Sequence, residues 1–288
     1  MTDAVFDAER VAGAARRMRR DIVEMIAQAG SGHPGGSLSA ADILATLYFG
    51  EVLRHDATNP TWPARDRFVL SKGHAAPVLY AALAEAGYFG RDHLGTLRKL
   101  GSILQGHPDS KKTPGVEVST GSLGQGLSIA SGLAAGLRGG AVDEPHLEDR
   151  TVFVLMGDGE LQEGQVWEAA MFAAHMGLDN LVAIVDENGL QIDGACNEVM
   201  CLGGVAAKFS AFGWKTFEVD GHDVTALKQT LEQARAHRGT PAVVVARTIK
   251  GKGVSFMEDQ AGWHGKAPSA DETERALAEI SATERSDA

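Results

Sequence analysis

Two cysteines in 288 residues cannot staple a domain of this size. Cys196 and Cys201 also have no second pair that would complete a zinc site, so reduced thiols in a cytoplasmic protein are expected. Basic residues are scarce: 27 Lys and Arg face 38 Asp and Glu, giving a formal net charge of −11. A duplex nucleic-acid binder usually needs a basic face, and this balance argues against one. The single dense basic cluster, Arg16, Arg17, Arg19 and Arg20, fits one helix and reads as a solvated face or a subunit contact. No run of about 18 apolar residues exists, so no transmembrane helix is expected. Met1 to Arg10 carries Asp3, Asp7 and Glu9 without an apolar core and is no secretory signal. Also absent are a Gly-x-Gly-x-x-Gly fingerprint after a strand, a phosphate-binding P-loop and a His-Glu-x-x-His pair, which leaves a dinucleotide oxidoreductase a weak alternative. Neither an internal repeat nor a low-complexity linker divides the chain.

What is present is an ordinary apolar fraction of 44%, enough to bury a full core, and 35 glycines. That is roughly 12% glycine against a usual ~7%, and the excess demands tight turns of the kind that approach ligands. Residues Phe6 to Ala29 have helical apolar spacing. The run Gly30 to Gly36, with Pro34, should stop that helix as a loop, and a second helix should run from Ser39 to Phe49. Asp66 to Leu70 reads as a strand, followed by the loop Ser71 to His74 and an Ala-rich helix. Gly101 to Gly126 is mostly loop, a length unusual unless functional. Leu127 to Leu137 reads as a helix, and Ala141 to Arg150 as a polar connection. Thr151–Met156 and Leu181–Val185 are continuous apolar strands, as in a parallel sheet buried on both faces, with a helix over Gln165 to Met176 between them. Two more strands, Lys215–Val219 and Ala242–Arg247, flank a helix over Val224 to Arg238. The alternation predicts an α/β fold: a mainly parallel sheet with helices on both faces. Residues 1–268 should form one domain, followed by a polar C-terminal tail over 269–288, rich in Ala, Glu and Asp, for which a loose helix is one reading.

In such a sheet ligands bind beyond the carboxyl ends of the strands. Those ends hold His74, Asp158 and Asn188, and loops at the same edge could bring in His33 and His107. Asp158 and Asn188 lie one strand–helix–strand crossover apart. A carboxylate, an amide oxygen and a nearby backbone carbonyl form a hard oxygen set suited to Mg²⁺ or Ca²⁺, with phosphate oxygens and water completing the octahedron. Gly157 and Gly159 let the backbone approach a phosphate. Of the ten histidines, His33, His74, His107 and His264 stand out because each sits in a Gly- or Pro-marked loop, and imidazoles exchange protons near neutral pH. His222 lies in a turn after a strand and reads as structural.

Gly157-Asp158-Gly159 followed by Asn188 resembles the diphosphate-binding motif of thiamine diphosphate enzymes. Within that group the chain is similar to the transketolases. The matching segments are Ser31-Gly32-His33-Pro34-Gly35, Leu70-Ser71-Lys72-Gly73-His74, Gly106-His107-Pro108 and Thr120 to Gly126, then Gly157 to Gly164, Asp186 to Gly194, Asp220-Gly221-His222-Asp223 and Trp263-His264-Gly265. The resemblance implies that Asp158, Asn188 and the Leu190 carbonyl bind Mg²⁺ (or Ca²⁺). Gly157 and Gly159 belong to the diphosphate turn, where Gly159 N–H, His74 and His264 contact the diphosphate. Leu123 meets the aminopyrimidine through its backbone, and Glu163 lies near the subunit interface. His33, His107 and His264 would serve catalysis, the first two bonding the donor sugar's hydroxyls.

The sequence departs from the family at Ser122, where many single-chain members have Pro, and at its end. Single-chain members continue into a pyrimidine-binding domain and a C-terminal domain, which supply the glutamate that activates the cofactor and most sugar-phosphate ligands. The resemblance thus implies the N-terminal subunit of a cytoplasmic two-component transketolase. It would transfer a two-carbon ketol unit between sugars or sugar phosphates, with a separately encoded partner in a dimer of heterodimers. Alternatives are a subunit of another thiamine diphosphate enzyme that forms C–C bonds, similar to deoxyxylulose-phosphate synthase or to acyl or ketol transferases of specialised metabolism, and a non-catalytic thiamine diphosphate-binding regulatory subunit.

Overall fold

The computed structural model describes residues 6–138 and 150–286. All but the last residue of the connection expected over Ala141 to Arg150 lies outside the described residues.

Helix α1 (Ala8–Ala29) begins where the Asp7 carboxylate accepts the Arg10 N–H, two residues later than the apolar spacing suggests. It buries Val11, Ala14, Ala15, Met18, Ile22, Met25 and Ile26. Its arginine cluster is paired inside the chain: Arg16 with Glu9, Arg17 with Glu85, Arg19 with Asp42 and Arg20 with Glu24. The expected loop over Gly30 to Gly36 is shorter than its composition implies, because Pro34 opens a second helix, α2 (Pro34–Ser39). Proline suits that first position, where its missing N–H costs nothing. Gly35 is helical and needed there: a Cβ would stand 3.0 Å from the Trp263 carbonyl oxygen. Helix α3 (Ala41–Phe49) follows.

Strand β1 (Arg67–Leu70) leads through a 3-10 turn at Gly73–Ala75 into α4 (Ala76–Glu85). The long segment from Gly101 holds no helix or strand until α5 (Gln125–Arg138). Then come β2 (Val152–Gly157), α6 (Gly164–His175) and β3 (Leu181–Glu187). A short hairpin, β4 (Leu190–Gln191) and β5 (Gly194–Ala195), and two helices, α7 (Cys196–Met200) and α8 (Val205–Ala211), intervene. The chain continues with β6 (Lys215–Asp220), α9 (Val224–Ala236), β7 (Ala242–Arg247) and α10 (Ala270–Ser286).

The main sheet has the order β1-β2-β3-β7-β6 and every pair is parallel. Its alternating side chains feed two cores. Phe153, Leu155, Val182, Ile184 and Val244 pack with residues of α1, α3, α4 and α9. Val154, Met156, Ala183, Val185 and Val243 pack with residues of α5, α6 and α8. Burial on both faces explains the unbroken apolar runs of β2, β3 and β7. The register sets Gly157 beside Asp186 and Glu187 beside Arg247, so the loops after β2, β3 and β7 leave the sheet at one edge.

Of the segment expected as a polar tail beyond a domain ending at 268, residues 270–286 form α10. A capping box starts it: the Ser269 hydroxyl accepts the Glu272 N–H, and the Glu272 carboxylate accepts the Ser269 N–H. Ala276 and Ile280 are buried in the same core as α1.

Candidate functional site

Four of the five strand ends line one cleft. β1 contributes Lys72 and His74, β2 Gly157, Asp158 and Gly159, β3 Asn188 and Leu190, and β7 Lys250. Gly36, Leu123, Glu163 and His264 reach it from loops and helix starts.

Asp158 is 6% exposed. Its carboxylate accepts the Gly189 N–H at 2.6 Å and its own neighbour Gly159 N–H at 2.9 Å. Burial, then the nearby Asp186, raises its pKa to about 6 despite those bonds. The Asn188 amide N–H donates to Asp186 at 3.2 Å, and its oxygen accepts the Leu190 N–H at 3.2 Å. The Leu190 carbonyl accepts from the Lys250 ammonium at 3.2 Å. Hence the Asp158 carboxylate, on the loop after β2, is hydrogen-bonded to the turn after β3 that carries the Asn188 amide oxygen and the Leu190 carbonyl.

Asp186 is fully buried among Lys72, Ser39, Thr248 and Asn188. Burial alone would raise its pKa, but Lys72 and the hydroxyl donors outweigh it and hold the carboxyl low. Lys72 also donates to the Gly36 carbonyl at 2.7 Å. Lys250 is 2% exposed, and burial, then Lys72, lowers its pKa to about 8.

Three imidazoles form one group. His74 and His264 stack with centroids 4.9 Å apart, and His33 meets them edge-on at 5.3 and 5.5 Å. The Lys250 ammonium stands 3.1 Å from His264 Nδ1, which therefore accepts. Burial is the main cause that lowers all three, His33 and His264 to about 4 and His74 to about 2, so the rings are neutral at pH 7. His33 Nδ1 is buried without a hydrogen-bond partner. His107 is exposed and outside the cleft lining, with its ring against Gly121. His33 reaches the cleft only through its two ring contacts.

Leu123 lines the cleft in a turn held by Glu160, a buried carboxylate that accepts Gly124 N–H at 2.9 Å, Gly157 N–H at 3.2 Å and the Ser71 hydroxyl. Glu163 is exposed at the N-cap of α6.

Residues 8–283 match the family described as transketolase, thiamine diphosphate binding domain. The chain belongs to the transketolase family. It is 43% identical over 280 residues to the 6-deoxy-6-sulfo-D-fructose transketolase subunit SqwG of Clostridium sp. (strain MSTE9), covering 97% of this chain and 98% of that one. It is 44% identical to an apulose-4-phosphate transketolase subunit of Actinobacillus succinogenes, covering 92% and 94%. Among solved structures, the transketolase of Campylobacter jejuni superposes with a TM-score of 0.88 at 33% identity. That match covers 96% of this chain but 43% of the Campylobacter chain.

The transketolase-type cleft suits a metal-bound diphosphate on its own chemistry. Among the described residues no group of three His, Cys, Asp or Glu gathers as a ligand set. One buried carboxylate with two neutral oxygens instead suits a hard cation that draws its remaining ligands from phosphate and water. Gly159 must lack a Cβ, which would meet the Gln191 Cβ at 2.7 Å where the loops after β2 and β3 pack together. Lys250 adds positive charge for an anion, whereas the Lys72 charge is paired with Asp186. Lys250 escaped the sequence reading because no motif contains it. The signal lay in its position just past a strand end, the rule that singles out Asp158 and Asn188. Lys72 stands in a matched segment to which the sequence assigns it no role of its own. Only the fold reveals the buried Asp186 that holds it.

Proposed function

We propose that this chain is the thiamine diphosphate-binding, N-terminal subunit of a two-component transketolase. A separately encoded partner would complete the cofactor site, in a dimer of heterodimers, and the substrates are sugars or sugar phosphates. The observation that carries this reading is the convergence on one cleft of the Asp158–Asn188–Leu190 oxygen set, two buried lysines and the neutral imidazoles of His74 and His264, with His33 packed against both rings. The end-to-end match to two proteins named as transketolase subunits supports the division of labour.

When bound, the thiazolium supplies the nucleophilic carbon and electron sink that ketol transfer needs. This chain's residues hold and orient it. Asp158, the Asn188 side chain and the Leu190 carbonyl would ligate Mg²⁺ or Ca²⁺. The Gly159 N–H, His74, His264 and Lys250 would face the diphosphate, with Gly157 leaving room beside it. The Leu123 backbone would meet the aminopyrimidine, and Glu163 lies toward the partner. His33 and His107 would bond donor hydroxyls, and His264 would serve catalysis beside them. A neutral imidazole both accepts from a hydroxyl and donates to a developing alkoxide, which an imidazolium cannot do.

The test is Asp158→Ala in the assembled complex. Cofactor affinity measured by calorimetry in Mg²⁺ is expected to fall at least about a hundredfold, because the bridging cation loses its only carboxylate. Unchanged affinity would overturn the metal assignment.

A further inference from the structure

One strand end does not reach the cleft: the segment after β6, with His222. That ring is half-buried and bonded on both nitrogens. Nε2 accepts the Ile249 N–H at 2.9 Å, so the ring proton sits on Nδ1, which donates to Asp42 Oδ2 at 2.7 Å. The backbone helps to hold the ring, since the His222 N–H donates to Asp220 at 2.8 Å. Asp42 is 6% exposed and is gripped from its other side by both Arg19 guanidinium nitrogens. Arg19 in turn donates through Nε to the Lys252 carbonyl at 3.1 Å.

These bonds bracket Lys250. Ile249 precedes it and Lys252 follows two residues on. Two further backbone bonds close the bracket, Thr248 N–H to the Glu187 carbonyl at 3.1 Å and Gly251 N–H to the Gly35 carbonyl at 3.0 Å. A lysine side chain loses much rotamer entropy when held, and its ammonium stays in place here only if its backbone does.

The structure assigns His222, carried on the Arg19–Asp42 pair, as a positioning residue that fixes the 248–252 turn and so aims the Lys250 ammonium at the cleft. This rests on the reading of Lys250 as part of the anion site.

Two substitutions separate the two ring bonds. His222→Gln keeps an acceptor near the Nε2 position for Ile249 and gives up the Asp42 donor. His222→Asn keeps a donor near Nδ1 for Asp42 and leaves the Ile249 N–H unpaired. Thiamine diphosphate affinity in Mg²⁺ is measured on the full chain assembled with its partner. Amide exchange over 248–252 and the melting temperature are measured on the full chain, with Lys250→Met as control. Both His222 variants should melt lower. His222→Asn alone should lose affinity by about tenfold, the worth of one misplaced charge-assisted contact, and lose exchange protection over 248–252. His222→Gln should stay within about threefold of the parent. Equal affinity losses in both, following the melting temperature, would make His222 merely structural and overturn the proposal. Wild-type affinity in His222→Asn beside a weakened Lys250→Met overturns the positioning role alone. Wild-type affinity in Lys250→Met overturns the placement of Lys250 in the anion site and the proposal with it.

Discussion

At the scale of single residues, burial decides which charges matter. Burial is the main cause that lowers His33 and His264 from the ordinary 6.5 to about 4. A depressed pKa favours the folded state fully above the unfolded value, and that contribution is lost as pH falls through the folded one. These two rings should therefore each withdraw stability from the chain without cofactor between about pH 6.5 and 4, against the opposite contribution of Asp158, and His264→Gln should remove one ring's share of that slope in a urea-unfolding series. An identical slope in the variant would contradict the shift. Glu160 gives a contrast in magnitude. It is 3% exposed and accepts three donors, so Glu160→Gln, which must turn an N–H toward one of them, should cost about 1–3 kcal/mol by urea denaturation. Removing the exposed Arg17 partner of Glu85 should cost under about 1 kcal/mol in the same measurement. Asp158, Asn188, His74 and His264 were legible in the sequence because each follows a strand or sits in a Gly-marked loop. Asp186 and Glu160 were not given roles, since a motif letter does not reveal that a carboxylate is fully buried and what it holds.

At the scale of elements, the buried strands were the easiest to read. Continuous runs such as Thr151–Met156 can satisfy a sheet covered on both faces and little else. Composition misled at Gly30 to Gly36, where glycines usually break helices but here permit α2 to pack against the Trp263 carbonyl and the Lys250 side chain. It misled again at the C-terminal end. Ala, Glu and Asp suggest solvent, yet one apolar stripe on α10 finds α1. Ile280 is 2% exposed, and Ile280→Ala should destabilise the chain by about 2 kcal/mol in urea, at the low end for a core truncation because α10 lies at the edge of the core. A change below about 0.5 kcal/mol would mean that α10 adds nothing to the core. The short pieces between β3 and α8 had no periodicity long enough to read.

At the scale of the whole molecule, a net charge of −11 sits beside a site built for an anion. Local arrangement resolves the contrast: the Lys250 ammonium, backbone N–H groups and, on the proposed reading, a divalent cation act over a few ångströms, where net charge has little say. On the proposed reading, in which a divalent cation helps this chain to hold the diphosphate, chelating the assembled complex should release the cofactor, and Mg²⁺ should restore binding on dialysis. The central claim is that this chain holds the cofactor and that a second chain completes catalysis. The most direct measurement is ketol transfer from xylulose 5-phosphate to an aldose acceptor by the purified chain, with and without its separately encoded partner. The account predicts no turnover for the chain alone and turnover on mixing, dependent on thiamine diphosphate and Mg²⁺; full activity of the 288-residue chain by itself would contradict it.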